Sequence, residues 1–213
     1  MTKKEGKREF ILEIAETHVL AKGFSATFVD DVIAEAGVTK SGFNYHFKGK
    51  NELARALIER SINEDNVLLD RIFGRARELD DDPLHVLLIA MKLLAEMLKD
   101  APNGHPGCLV ATFCFAERSF DRQVRELGRK WVLAWRARFL AELESIVQHY
   151  QPNDEVSLEA LADRITALAE GGIILSRASG QHTLLAEQVM LLRSYIKLLF
   201  SPKINSIQTN LSH

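Results

Sequence analysis

The chain holds 213 residues at 24.0 kDa with a formal net charge of −2, enough for one sizeable domain or two small ones without disulfide or metal staples. Hydrophobic residues at 46% and charged residues at 26% exclude a disordered or collagen-like chain, and no apolar run approaches the ~18 residues of a membrane span. Any contact with nucleic acid must therefore rest on local charge. The opening MTKKEGKREF carries basic residues but no apolar stretch or small-residue cleavage site, so no secretory signal is read and the chain is expected in the cytoplasm. Two cysteines, Cys108 and Cys114, fit a reducing compartment; six residues apart, they sit on poorly matched faces of one helix and form no zinc pattern.

Apolar spacing is helical almost everywhere, and no segment alternates as a strand does, which predicts an all-α fold. Punctuation divides the chain. Pro83 follows three aspartates, Pro102 and Pro106 bracket Asn103-Gly104, and Pro152 precedes Asn153-Asp154, each a helix stop followed by a new start. Nine helices are predicted, near residues 7–22, 28–35, 40–46, 50–79, 83–100, 106–117, 121–150, 155–179 and 183–200.

In the first helix Ile11, Ile14, Ala15, His18 and Val19 form one stripe, and Lys22-Gly23 supplies a basic last turn with a glycine after it. Thr27, three before Asp30, predicts a capping-box start for the second helix. That helix stops at Gly37, and Thr39 caps a third. Two short helices joined by a tight glycine turn are the helix-turn-helix pattern. Residues 37–50 carry Lys40, Lys48, Lys50 and His46 with no acid, and residues 1–8 carry Lys3, Lys4, Lys7 and Arg8 against Glu5. Each segment is +3 on a remainder of −8, the kind of local footprint that phosphate contact needs. The N-terminal run by itself reads more simply as a solvated face.

The segment GFSATFVDDVIAEAGVTKSGFNYHFKGKNEL resembles the DNA-binding part of the TetR family of bacterial transcriptional repressors. The resemblance implies an N-terminal three-helix helix-turn-helix domain over 1–50 and a C-terminal helical bundle for ligand binding and dimerisation over 51–213. It also implies a homodimer on double-stranded operator DNA that lets go when a small-molecule inducer, of unknown identity, enters the bundle. Carried over position by position, Thr27 and Thr39 match helix caps facing phosphate, and Lys40 and Ser41 match positions that reach base edges. Gly42 matches a close backbone approach, Tyr45 and His46 match phosphate contacts, and Lys50 matches a phosphate anchor. The chain departs from the pattern at Asn44, where a tyrosine is usual and where Asn can pair with adenine, and at Gly49, where a serine often caps the fourth helix. Phe43 and Phe47 are expected in the core.

Farther on, Leu158, Leu161, Ile165, Leu168 and Gly172 form one seam and Leu185, Val189, Leu192, Ile196 and Leu199 another. Such seams are commonly internal core; the small residues Ala169, Gly172 and Ser176 also permit close approach of a second helix, and the resemblance assigns these two helices to a dimer interface. Met91, Cys108, Phe113, Trp131 and Trp135 are candidate pocket residues, though residues of these kinds are more often packing. Cys108, just after Pro106, is expected in a first helical turn where the dipole lowers thiol pKa, which leaves two readings, a packed cysteine or an electrophile-sensing trigger. No hydrolase, zinc-protease, P-loop or dinucleotide motif is present, and His105 with Cys108 makes only half a metal site, so no enzyme activity, metal or cofactor is expected. A helical adaptor without a DNA role is the rival class, and it leaves the acid-free basic stretch unexplained.

Overall fold

Nine α-helices and one short 3-10 turn account for the regular structure of the described residues, with no strand among them. The structure, a computed structural model, describes residues 3–101 and 104–201. Pro102 and Asn103, read above as punctuation, and the side chains of Lys3 and Lys4 lie outside the described residues. In chain order the helices are α1 (Lys3–Lys22), α2 (Val29–Glu35), α3 (Lys40–His46), α4 (Lys50–Leu79), α5 (Pro83–Lys99), α6 (Leu109–Phe115), α7 (Arg122–Val147), α8 (Leu158–Ser179) and α9 (Leu184–Leu199), with the 3-10 turn at Glu117–Ser119 between α6 and α7.

Helix ends follow local chemistry. Gly23 takes φ +80° beyond α1 and its amide donates to the Val19 carbonyl at 2.8 Å, a left-handed stop that a side chain resists. Asp82 caps α5 by accepting from the amides of Leu84 and His85, with Pro83 in the first turn where no N–H is needed. Tyr150 donates to the other Asp82 oxygen at 2.6 Å and so ties the segment after α7 to this cap. The α6 helix is shorter than the predicted 106–117, because Gly104 and Gly107 at φ +66° and +125° keep the chain irregular up to Cys108.

Two apolar cores result. One gathers α1–α3, the first turns of α4 (Leu53, Leu57, Ile58), α6 and the start of α7. The other joins the second half of α4 to α5, α8, α9 and the rest of α7. Packing thus does not break at residue 50. The 30 residues of α4 run through both cores, a rod of about 45 Å at 1.5 Å per residue. Arg60, near its middle, holds α1 through Glu9 at 2.6 Å and through Glu16.

Candidate nucleic-acid interface

The third helix is held by its caps and by one buried edge. Thr39 Oγ1 accepts from the Gly42 amide at 3.0 Å, the predicted cap. Phe43 and Phe47 are fully buried, which turns Lys40, Ser41, Asn44 and Tyr45 outward together. Residues i, i+1, i+4 and i+5 share one helical face, so this short helix presents a cation, a hydroxyl, an amide and a phenol on one side. Tyr45 packs edge-on to His46 with ring centroids 5.2 Å apart. Gly42 has a reason within the chain, because a Cβ there would stand 3.2 Å from the Thr39 hydroxyl oxygen and crowd the cap.

Three positions differ from the sequence expectation. Thr27 does not cap α2: it is buried and its hydroxyl donates to the Gly23 carbonyl at 2.9 Å, closing the turn after α1, while α2 opens at Phe28 without a side-chain cap. Thr27 therefore has no surface to offer a phosphate. Lys50 is partly withdrawn, its ammonium 4.7 Å from the centre of the Phe24 ring and 3.4 Å from the Ser25 carbonyl, and burial lowers its pKa. The acid-free surface read over 37–50 gains an acid from outside, since Asp30 of α2 comes within 4.0 Å of the Lys40 ammonium. Gly49, by contrast, suits its position at φ 155° and ψ −174°, a region that serine resists. Glu52 accepts from the Lys48 amide at 2.8 Å, one residue before the Gly49 cap, and so ties the incoming chain to the first turn of α4.

Residues that no local motif announced complete the head. Arg8 sits over the Phe47 ring at 5.1 Å. His18 bonds Glu35, and Lys22 bonds Asp31 at 2.7 Å, so two polar links fix α2 on α1.

The predicted pocket residues do not converge. Met91 lies in the second core and Phe113 and Trp131 in the first, with Trp135 half-buried between them. Both indole N–H groups donate to one oxygen of Asp65, at 2.8 and 3.0 Å, pinning α7 to α4. Burial raises the Asp65 pKa, and these two bonds oppose the rise. A cleft of about 440 Å³ opens between α6 and the start of α7; Phe113 borders it, and Met91, Cys108, Trp131 and Trp135 do not. Cys108 precedes α6 as its N-cap, and burial together with the adjacent Glu170 carboxylate pushes its thiol up, against the weaker pull of the Ala111 and Val110 amides. Burial and Glu170 thus outweigh the lowering expected from the helix N-terminus, and the thiol is held in its protonated form.

The predicted dimer seam faces the chain's own interior. Leu185, Val189, Leu192 and Ile196 are buried within one chain, and Gly172 and Ser176 are buried where α8 meets α9. A Cβ on Gly172 would come 2.7 Å from Leu185 Cδ1, and Ser176 Oγ accepts from the Leu185 amide at 3.1 Å. Both small residues serve the α8–α9 contact. Ala169, half-buried, lies on the same helix. The exposed large apolar residues of this pair are others: Ile174, Leu175, Met190, Leu191, Tyr195 and Leu198.

Residues 11–57 match the sequence pattern of the bacterial regulatory proteins of the tetR family. Over 176 residues the chain is 33% identical to the HTH-type transcriptional regulator TtgR of Pseudomonas putida, covering 80% of each protein. It is 26% identical over 197 residues to the uncharacterized HTH-type transcriptional regulator YxaF of Bacillus subtilis, covering 90% of this chain and 97% of that one. Among solved structures, a TetR-family regulator from Agrobacterium tumefaciens superposes with a TM-score of 0.75 at 19% identity, covering 91% of this chain and 98% of that one. The reduced form of E. coli NemR does so with 0.74 at 18%, covering 93% and 100%. At these identities the two structures share the fold.

Proposed function

The chain belongs to the TetR family of bacterial regulatory proteins, DNA-binding transcriptional regulators rather than enzymes, and from that premise we propose that it is a homodimeric repressor whose hold on operator DNA a small molecule loosens. The observation that carries the DNA half is the single outward face of α3, with Lys40, Ser41, Asn44 and Tyr45 held in place by buried Phe43 and Phe47. Lysine donates to guanine O6 or N7, and asparagine pairs with adenine N6 and N7. Two copies related by a twofold axis set two such helices in successive major grooves, roughly 34–36 Å apart.

Pairing of the copies falls to the exposed apolar face of α8 and α9, where Ile174, Leu191 and Leu198 are 60%, 64% and 70% exposed. Apolar residues grouped in this way on adjoining helices favour an isologous contact. Release follows when an effector binds the non-operator arrangement more tightly, and about 1–3 kcal/mol of coupling weakens operator affinity roughly 5–150-fold.

Selection from a pool of random duplexes, followed by titration of the selected sequence at several salt concentrations, tests the DNA reading. Lys40→Ala is expected to cost about 1–3 kcal/mol and to relax preference at one base pair. Lys48→Ala is expected to weaken all sequences alike and to reduce the salt slope by about 1. Equal, sequence-independent losses in both variants rule out Lys40 as a base reader. Failure to select any duplex returns the chain to the helical adaptor class.

A further inference from the structure

We propose that the cleft between α6 and the first turns of α7 is the effector site, and that it takes an amphipathic anion, a carboxylate carried on an aryl or alkyl body. The consequence for DNA rests on the regulator reading above; the binding itself does not. Its size of about 440 Å³ falls in the range of small-molecule sites. Val110, Phe113, Phe120 and Val132 give it an apolar lining, and Arg122, Arg125 and Arg129 lie along one stripe of α7 at its rim.

Charge decides the class of occupant. Arg129 grips Glu126 through two bonds of 2.8 and 3.1 Å, so that acid and that cation balance each other. Arg125 gives one N–H to the Phe120 carbonyl at 2.8 Å and keeps the rest of its fork. Glu117 is the one other acid of the lining, so three arginines meet two glutamates there. Glu170 acts on Cys114 of the same wall from outside the lining, which leaves Arg122 and the free part of Arg125 as the cations open to an occupant. Gly128 adds room, because a Cβ there meets nothing within 4 Å, so no crowding explains a glycine inside this helix.

The same apolar wall reaches the DNA-binding head. Phe113 and Phe120 lie 5.1 and 4.4 Å from the Phe24 ring, and Phe24 carries the Lys50 ammonium at 4.7 Å on its face. An occupant that displaces either phenylalanine therefore presses on the turn before α2 and on the start of α4. From either phenylalanine the route is two rings long.

Calorimetric titration of the full chain without DNA tests the site, with 4-phenylbutyrate and octanoate as probes and their neutral amides as controls. The acids are expected to bind at least about tenfold more tightly than the amides, the difference of one charge-assisted contact. Arg122→Gln is expected to remove that advantage, and Val132→Trp to abolish binding of acid and amide by filling the cleft at unchanged charge, with unchanged helical circular dichroism for both variants. Acids that do not bind at millimolar concentration, acid and amide of equal affinity, or binding unaffected by both substitutions overturns the proposal. Binding that stands while no duplex can be selected sinks the regulator reading and leaves the cleft. Where a duplex is selected, probe binding that leaves its affinity unchanged overturns the effector role.

Discussion

Asp65 is the residue whose environment most directly predicts a measurable effect. Its carboxylate, half-buried among α4 and α7, accepts from both tryptophan indoles, and desolvation sets its pKa above the unfolded value of 3.8. A carboxyl with a raised folded pKa holds its proton longer in the folded state, so it withdraws stability as pH climbs from the unfolded value through the folded one. Asp65→Asn keeps an oxygen for the two N–H groups and removes the charge. The variant is expected to have a higher urea midpoint than the wild type near pH 7, with the gap narrowing toward about pH 4. A gap that widens on acidification contradicts desolvation as the controlling effect. None of this was legible in the sequence, because Asp65 and the tryptophans are some seventy residues apart and only the fold brings them together. Thr39 was legible, since a cap is a local device; Thr27 looked the same in sequence, but the left-handed Gly23 turns the chain so that the Thr27 hydroxyl meets the Gly23 carbonyl first.

At the scale of elements, the α8–α9 pair separates what packs inward from what remains outside. The 3-and-4 spacing located both seams, and spacing alone does not distinguish a core within one chain from a contact between two. Gly172 shows the difference. Its missing side chain lets Leu185 approach, with Leu185 Cα 3.2 Å from where a Cβ would stand, so even alanine meets backbone that cannot rotate away. Gly172→Ala is expected to destabilise each chain by about 1–3 kcal/mol in urea unfolding, the usual range for overpacking. Leu191→Glu, on the exposed side of α9, is expected to leave the far-ultraviolet spectrum unchanged and shift light scattering toward monomer. A Leu191→Glu protein that remains a dimer moves the interface off this face.

Across the whole molecule, head and bundle are joined by more than the rod of α4. Arg177, in the last turn of α8, donates from Nη1 to the Pro106 carbonyl at 3.1 Å and to the Leu20 carbonyl at 3.4 Å, so one guanidinium links α8 to the entry to α6 and to the end of α1. Gly107 makes room for it, as a Cβ there would stand 2.7 Å from the same nitrogen. The link leaves the last turn of α1 resting on α8 as well as on its own core residues. Because Arg177 is exposed, its removal is expected to change global stability by no more than about 0.5 kcal/mol. The effect belongs instead to local opening, which hydrogen exchange reads residue by residue. Arg177→Ala is expected to speed amide exchange across residues 20–24 at the end of α1, while buried amides of α5 and α9 exchange as in the wild type. Unchanged exchange at the end of α1 means that α4 and the phenylalanine wall hold the head by themselves. Faster exchange throughout means that Arg177 supports the fold as a whole rather than the joint between its two parts.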